Sequence, residues 1–220
     1  MFGTEHLLLF VVSGLLLNIP PGQDTLYIVG RSVSQGRRAG LLSVLGISSG
    51  SVVHTVAAAF GLSAILAASS QAFLAVKLAG AAYLAYLGLR MILERAPATA
   101  DPATADSAPA IANSVTFEGE SGWAIYRAGF FTNLLNPKVA LFFMAFLPQF
   151  VAPAAESRVL AFLFLGAIFI VNGTLWCLVL VWGASTVSAR LRRHAARGAI
   201  VKRATGAVFV GLGVRLAVSK

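Results

Sequence analysis

Apolar residues run almost unbroken through most of this chain, and polar residues gather in a few short intervals. The run LLLFVVSGLLL (7–17) is followed by NIPPGQD (18–24) and then by TLYIV (25–29). Comparable runs recur along the chain, each close to or above the ~20 residues that cross the hydrocarbon core of a bilayer. The pattern predicts six spans, at about 4–29, 41–68, 71–93, 123–151, 159–186 and 199–217. The short alternating segments of a transmembrane barrel do not occur. The expected fold is therefore all-α: a polytopic membrane protein with six transmembrane helices.

Composition sharpens this reading. Of 220 residues, 58% are hydrophobic and 11% charged, with a mean hydropathy of +0.82. A soluble core cannot bury that much apolar surface. Only Glu5 and His6 are strongly polar before the first run, so a cleavable signal with a basic n-region is not expected. The single cysteine, Cys177, rules out an internal disulfide and reads as a small hydrophobe.

The net charge of +9 raises the question of nucleic acid, and the distribution of charge answers it. Twelve basic residues fall on one side: Arg31, Arg37 and Arg38; Arg90, Arg95 and Arg127; Arg190, Arg192, Arg193, Arg197, Lys202 and Arg203. Arg158, Arg215 and Lys220 fall on the other. By the positive-inside rule the first group is cytoplasmic and both termini are not. SARLRRHAARGAIVKR (188–203) lacks interleaved aromatics and is expected to rest on anionic membrane lipid, not on nucleic acid. Between spans three and four, APATADPATADSAPA (96–110) repeats PATAD and has too little apolar bulk to fold. Residues 94–122 are read as a flexible cytoplasmic linker between two three-helix units, 1–93 and 123–220.

The two units resemble each other. GAAYLAYLGLR (80–90) aligns with TGAVFVGLGVR (205–215), so that Ala82, Leu87, Gly88 and Arg90 meet Ala207, Leu212, Gly213 and Arg215. Span one breaks at NIPPGQD and span four at NLLNPK (133–138). Three spans per unit force opposite orientations, which predicts an inverted 3+3 repeat with broken first and fourth helices.

Proline removes a backbone donor and clashes with the preceding turn. The freed groups cost several kcal/mol in lipid, so broken helices persist where they are buried in protein or line a wet cavity. Paired breaks in two repeats point to a transporter's binding site. The candidate substrate-binding residues are Asn18, Pro21, Gly22, Asp24, Asn133, Asn136, Pro137 and Lys138. Asn136 before Pro137 reads as an N-cap with proline at N1, and Asp24 as the cap of a half-helix starting near Thr25. Half-helix N-termini favour an anion and the facing carbonyl ends a cation. Both together suit a zwitterion such as an amino acid. Asp24 is the one acid in the interior of a span, with Lys138 as its expected partner, and intramembrane charges usually serve function. Asp24 and His54 are the proton-coupling candidates. Gly46 and Gly50 read as a helix-packing face. Phe142, Phe143, Phe146 and Phe150 read as packing, and Tyr83, Tyr86 and Asn172 as weaker cavity candidates.

PPGQD (20–24), GLLSVLGISSG (40–50) with His54, KLAGAAYLAYLG (77–88) and GFFTNLLNPKVALFFMAFLPQF (129–150) together resemble the LysE/RhtB family of amino-acid exporters. The resemblance covers nearly the whole chain outside the linker. It implies six spans, an inner-membrane location, and export of amino acids or close derivatives driven by proton exchange. One departure stands out: Gln23 replaces the second proline of the family's Pro-Gly-Pro-Asp. No cofactor is implied, and homo-oligomerisation is left open. A metal-ion exporter would want several intramembrane carboxylates, His or Cys, where this chain offers Asp24, His54 and Cys177 far apart in sequence. An intramembrane enzyme would need a nucleophile with its base or a metal motif. A non-transporting structural membrane protein would need no paired breaks.

Overall fold

A computed structural model describes residues 3–19, 22–93, 120–152 and 154–184, together with Arg203 and residues 206–208, 210–211, 213–214 and 217–218. Pro21, residues 94–119 of the expected linker and most of the expected sixth span lie outside the described residues. The described residues are overwhelmingly helical. Their one β-bridge, Thr4 to Val151, ties the start of the chain to the end of the second broken helix.

Helix α1 (Leu7–Asn18) ends at the first break. Helix α2 (Gln23–Ala68) is continuous except at Gly36, whose φ of 83° and ψ of 177° turn the chain between a short arm, 23–35, and a long arm, 37–68. The loop expected between the first two spans is thus a single left-handed residue, a conformation that glycine alone adopts without steric cost. Helix α3 (Ser70–Leu93) follows after one extended residue, Ser69. Helix α4 (Gly122–Leu134) opens on Ser121, whose hydroxyl accepts from Ala124 N, and ends at the second break. Helix α5 (Pro137–Phe146) continues as a 3-10 turn, Leu147–Phe150, and helix α6 (Arg158–Trp182) is capped by Ser157.

Among the described residues, two stretches are long and apolar enough to cross a membrane, Gln23–Ile65 and Arg158–Trp182. A third is formed if the pair Gly122–Leu134 and Pro137–Phe150, bent by 49°, counts as one span.

Close helix contacts run through small residues. A Cβ on Gly46 would strike Tyr126 O and the backbone N of Phe130, and one on Gly50 would lie 2.8 Å from Asn133 Oδ1. The face expected at Gly46 and Gly50 therefore seats α4 directly on α2, as small-residue interfaces do in lipid. Aromatic rings fill the other core. Phe142 stacks on Phe146 at 4.3 Å, Phe146 lies 4.6 Å from Phe150, and Phe10 of α1 stacks on Phe146 at 5.4 Å. All four are fully buried, which makes this row packing, with ring spacings in the favourable range.

One set of contacts is reciprocal. A Cβ on Gly88 would stand 2.5 Å from Gly206 O and 2.8 Å from Val210 N, while one on Gly213 would stand 2.7 Å from Ala81 O and 3.0 Å from Ala85 N. Shifting 81, 85 and 88 by 125 gives 206, 210 and 213, so each partner meets the equivalent of the other. A second set behaves likewise. Gly14 packs on Phe169 and Asn172 donates to Val11 O, while Gly129 packs on Ser43 and Gly46 packs on Tyr126 O. There the shift is 115 from α1 to α4 and 126 from α2 to α6, leaving eleven extra residues between the second broken helix and α6.

Candidate functional site

The two breaks face each other across one cavity of about 60 Å³, several times the roughly 10–15 Å³ that a single water needs by that measure. Asn18, Gly22, Asp24 and Thr25 line it from the first break, and Asn133, Asn136 and Lys138 from the second. The long arm of α2 contributes Ser48 and Ser51, and α6 contributes Gly173, Thr174, Trp176 and Cys177. Seven of the eight candidate substrate-binding positions are described, and six of them line this cavity. Pro137 sits behind it as the first residue of α5, and Pro21 lies outside the described residues.

The second break forms as its sequence demands. Asn136 is extended at φ −77°, ψ 106°, and its side-chain oxygen accepts from Lys138 N at 3.0 Å. This cap satisfies one orphan donor of α5, and proline at N1 forfeits none. The first break differs from expectation. The N-cap of α2 is Gly22, with no side-chain cap, and Asp24 lies within the first helical turn. Its carboxylate reaches across to the other break instead, accepting from Asn133 Nδ2 at 2.8 Å and Asn136 Nδ2 at 3.3 Å. Helix N-termini attract carboxylates in the first turn as well as at the cap, and two amide donors offer more than a local cap would.

Lys138 also departs from expectation. Its ammonium makes no direct pair with Asp24; Nζ donates to Leu17 O, a bare C-terminal carbonyl of α1, at 3.1 Å. It passes 3.8 Å from where a Cβ on Gly22 would sit, directly over the break. Asn18 turns its amide back onto Gly14 O at 3.0 Å. The carbonyl end of α1 is thereby covered by a cation and an amide, as unsatisfied helix ends in an apolar medium require.

Asn133 joins these parts. It is 2% exposed. Its amide nitrogen serves Asp24, its side-chain oxygen accepts from Ser51 Oγ at 3.1 Å, and its carbonyl lies 3.1 Å from His54 Nε2 and accepts from Asn136 N. His54 is therefore one residue removed from Asp24, through Asn133, and its ring lies against Phe143 at 5.9 Å. The cavity candidates Tyr83, Tyr86 and Asn172 are not among the lining residues; Asn172 is used in packing, donating to Val11 O.

Sequence reasoning missed the α6 wall and the serines of α2. Ser48 and Thr174 share a hydrogen bond of 2.8 Å, and Trp176 Nε1 is buried without a hydrogen-bond partner among the described residues. Single polar residues scattered through apolar helices carry no periodic signal that would have singled them out. Among the described residues, no group of three or more His, Cys, Asp or Glu could hold a metal ion.

The family described as LysE type translocator matches residues 15–220. The chain is 31% identical over 216 residues to an uncharacterized membrane protein of Vibrio cholerae, covering 97% of both chains. It is 26% identical over 215 residues to an uncharacterized membrane protein of Bacillus subtilis, covering 98% of this chain and all of the other. It is 27% identical over 211 residues to the homoserine/homoserine lactone efflux protein of Salmonella typhimurium, covering 94% of each. No solved structure matches it significantly.

Proposed function

The chain belongs to the LysE type translocator family, and on that premise we propose that it exports amino acids or close derivatives across the inner membrane in exchange for protons. The observation that carries the reading is the meeting of two broken helices at one polar cavity, where an acid, a base and seven amide or hydroxyl side chains converge among apolar helices. A zwitterion finds its two counterparts there. Its carboxylate suits the N-terminal ends of α2 and α5, and its ammonium suits Asp24 and the carbonyl end of α1. Asn18, Gly22, Asp24, Asn133, Asn136, Pro137 and Lys138, with Pro21, make up the proposed substrate site. Relatives named for homoserine and homoserine lactone efflux support the substrate class.

In this reading the chain has six spans and works by alternating access of two inverted three-helix repeats. Support comes from the reciprocal contacts of Gly88 with residues 206 and 210 and of Gly213 with residues 81 and 85, the pattern of an isologous interface about a two-fold axis. Both termini lie outside the cytoplasm. Asp24, His54 and Lys138 are the titratable groups available at or beside the site for proton coupling.

The test is a panel of amino acids loaded into vesicles containing the purified protein, with efflux followed with and without an imposed proton gradient. Gradient-stimulated efflux of at least one amino acid or amino-acid lactone is expected. Resistance to metal ions with no amino-acid flux would replace this reading with metal export. Reporters fused at the termini should give non-cytoplasmic signals, and one inserted at 96–110 a cytoplasmic signal.

A further inference from the structure

We propose that Lys138 is the coupling group of this exporter: its ammonium holds the position that the substrate's amino group must take, so each substrate bound expels one proton. This rests on the transport reading above and assigns its proton step.

The geometry carries the assignment. Besides the Cys177 thiol on the α6 wall, three groups at or beside the site titrate, and two of them are committed to other work. Asp24 accepts amide hydrogens on both carboxylate oxygens, at 2.8 and 3.3 Å, contacts that a carboxylate accepts better than a carboxylic acid does. His54 Nε2 sits on a backbone carbonyl at 3.1 Å and is not among the residues lining the cavity. Lys138 alone places a movable charge in the open space. A long side chain carries its ammonium back over the break to Leu17 O, and a Cβ on Gly22 would lie 3.8 Å from it.

That position is a cation site by construction. It combines a helix-end carbonyl at the cavity with the carboxylate of Asp24 lining the same cavity, and carbonyl ends of broken helices are where membrane transporters hold coupling cations. The charged and titratable groups facing Lys138 are Asp24 from the short arm of α2 and Cys177 from α6, with His54 of the long arm acting through Asn133. With the substrate carboxylate held at the N-terminal ends of α2 and α5, its ammonium and that of Lys138 compete for the same carbonyl, Leu17 O, and like charges that close repel strongly out of water. A substrate ammonium therefore enters as Lys138 gives its proton to cytoplasmic water and its neutral amine withdraws. After reorientation the zwitterion leaves, and the amine takes a proton from the opposite side and returns to Leu17 O. One zwitterion goes out and one proton comes in, so each cycle carries one positive charge inward.

The experiment is calorimetric titration of the purified full-length protein with the amino acid that the efflux panel shows it to export. Two buffers of different ionisation enthalpy separate binding from proton release. Wild type should release about one proton per substrate bound. Lys138→Met should bind with release near zero and should keep substrate-for-substrate exchange while losing gradient-driven efflux. Lys138→Arg keeps a cation that does not deprotonate; it should fold like wild type, bind at least tenfold more weakly and release no proton, which keeps the test decisive if Lys138→Met folds poorly. His54→Gln should release as wild type does. Binding by wild type without proton release, undiminished release from Lys138→Arg, or loss of release in His54→Gln would each overturn the assignment. Absence of any binding or efflux by wild type would overturn the transport reading itself, and this one with it.

Discussion

Asn133→Leu replaces the amide by an apolar group with the same heavy-atom skeleton, so its effect on the polar contacts can be worked out from the structure. Two side-chain hydrogen bonds disappear: the 2.8 Å donation to Asp24 and the 3.1 Å acceptance from Ser51. A bond to a charged group contributes about 1.5–3 kcal/mol and a neutral one about 0.5–1.5. Hydrogen bonds inside membranes fall toward the lower ends, averaging about 0.6 and reaching about 1.7 kcal/mol. Asp24 would keep one amide, from Asn136 at 3.3 Å, so it would be under-satisfied rather than abandoned. The expected loss is about 2–3 kcal/mol. In an Asp24→Asn background the charge-assisted part is already gone, and the same change should cost only about 1 kcal/mol, giving a coupling energy of about 1–2 kcal/mol. Unfolding of the four proteins in mixed micelles with increasing dodecyl sulfate would measure the cycle. A coupling below about 0.5 kcal/mol would refute the claim that Asn133 holds the Asp24 carboxylate.

Three further outcomes follow from the contacts. Gly46→Val should abolish folded protein, since even a methyl group there meets the backbone at Tyr126 and Phe130, whereas Gly61→Val, with nothing within 4 Å, should express normally; gel-filtration profiles of both would show the contrast. Glu120→Gln should destabilise by about 1–2 kcal/mol, because Arg31 is 3% exposed and pairs with a carboxylate that is itself 34% exposed at 2.8 Å; adding Arg31→Met should recover part of the loss in the same unfolding assay. Deleting residues 98–110 should leave expression and efflux near normal, since closure entropy depends weakly on loop length.

The breaks were legible because Pro, Gly and Asn interrupting apolar runs have only a few structural solutions. Asn136 before Pro137 could be read directly as a cap, and it is one. Asp24 could be placed at the first break but not aimed: a carboxylate in the first turn can serve its own helix or a neighbour, and the choice rests on amides 109 and 112 residues away. Lys138 was misdirected for a related reason. Opposite charges suggest a pair, but a nearby helix-end carbonyl accepts an ammonium equally well, and local sequence does not reveal which lies closer. The stretch RSVSQGRRA (31–39) read as a loop because its polarity interrupts the apolar run. It is helical on both sides of the single turn residue Gly36 because tertiary partners absorb that polarity: Arg31 takes Glu120 and lies 5.2 Å from the Tyr27 ring centre, and Arg37 lies 4.7 Å from that of Trp182.

The crossing of α3 with the last described residues has a historical consequence. A glycine at 88 lodges against positions 206 and 210, and a glycine at 213 lodges against positions 81 and 85, so neither half supplies a feature that the other lacks. Such a crossing could have been made by two separate copies of one short ancestral polypeptide that inserted in both directions. On the inverted-repeat reading proposed above, gene duplication and fusion would then have locked the pair into opposite directions, after which each copy was free to diverge. The acid now stands in one half and the lysine in the other, a division of labour closed to identical subunits.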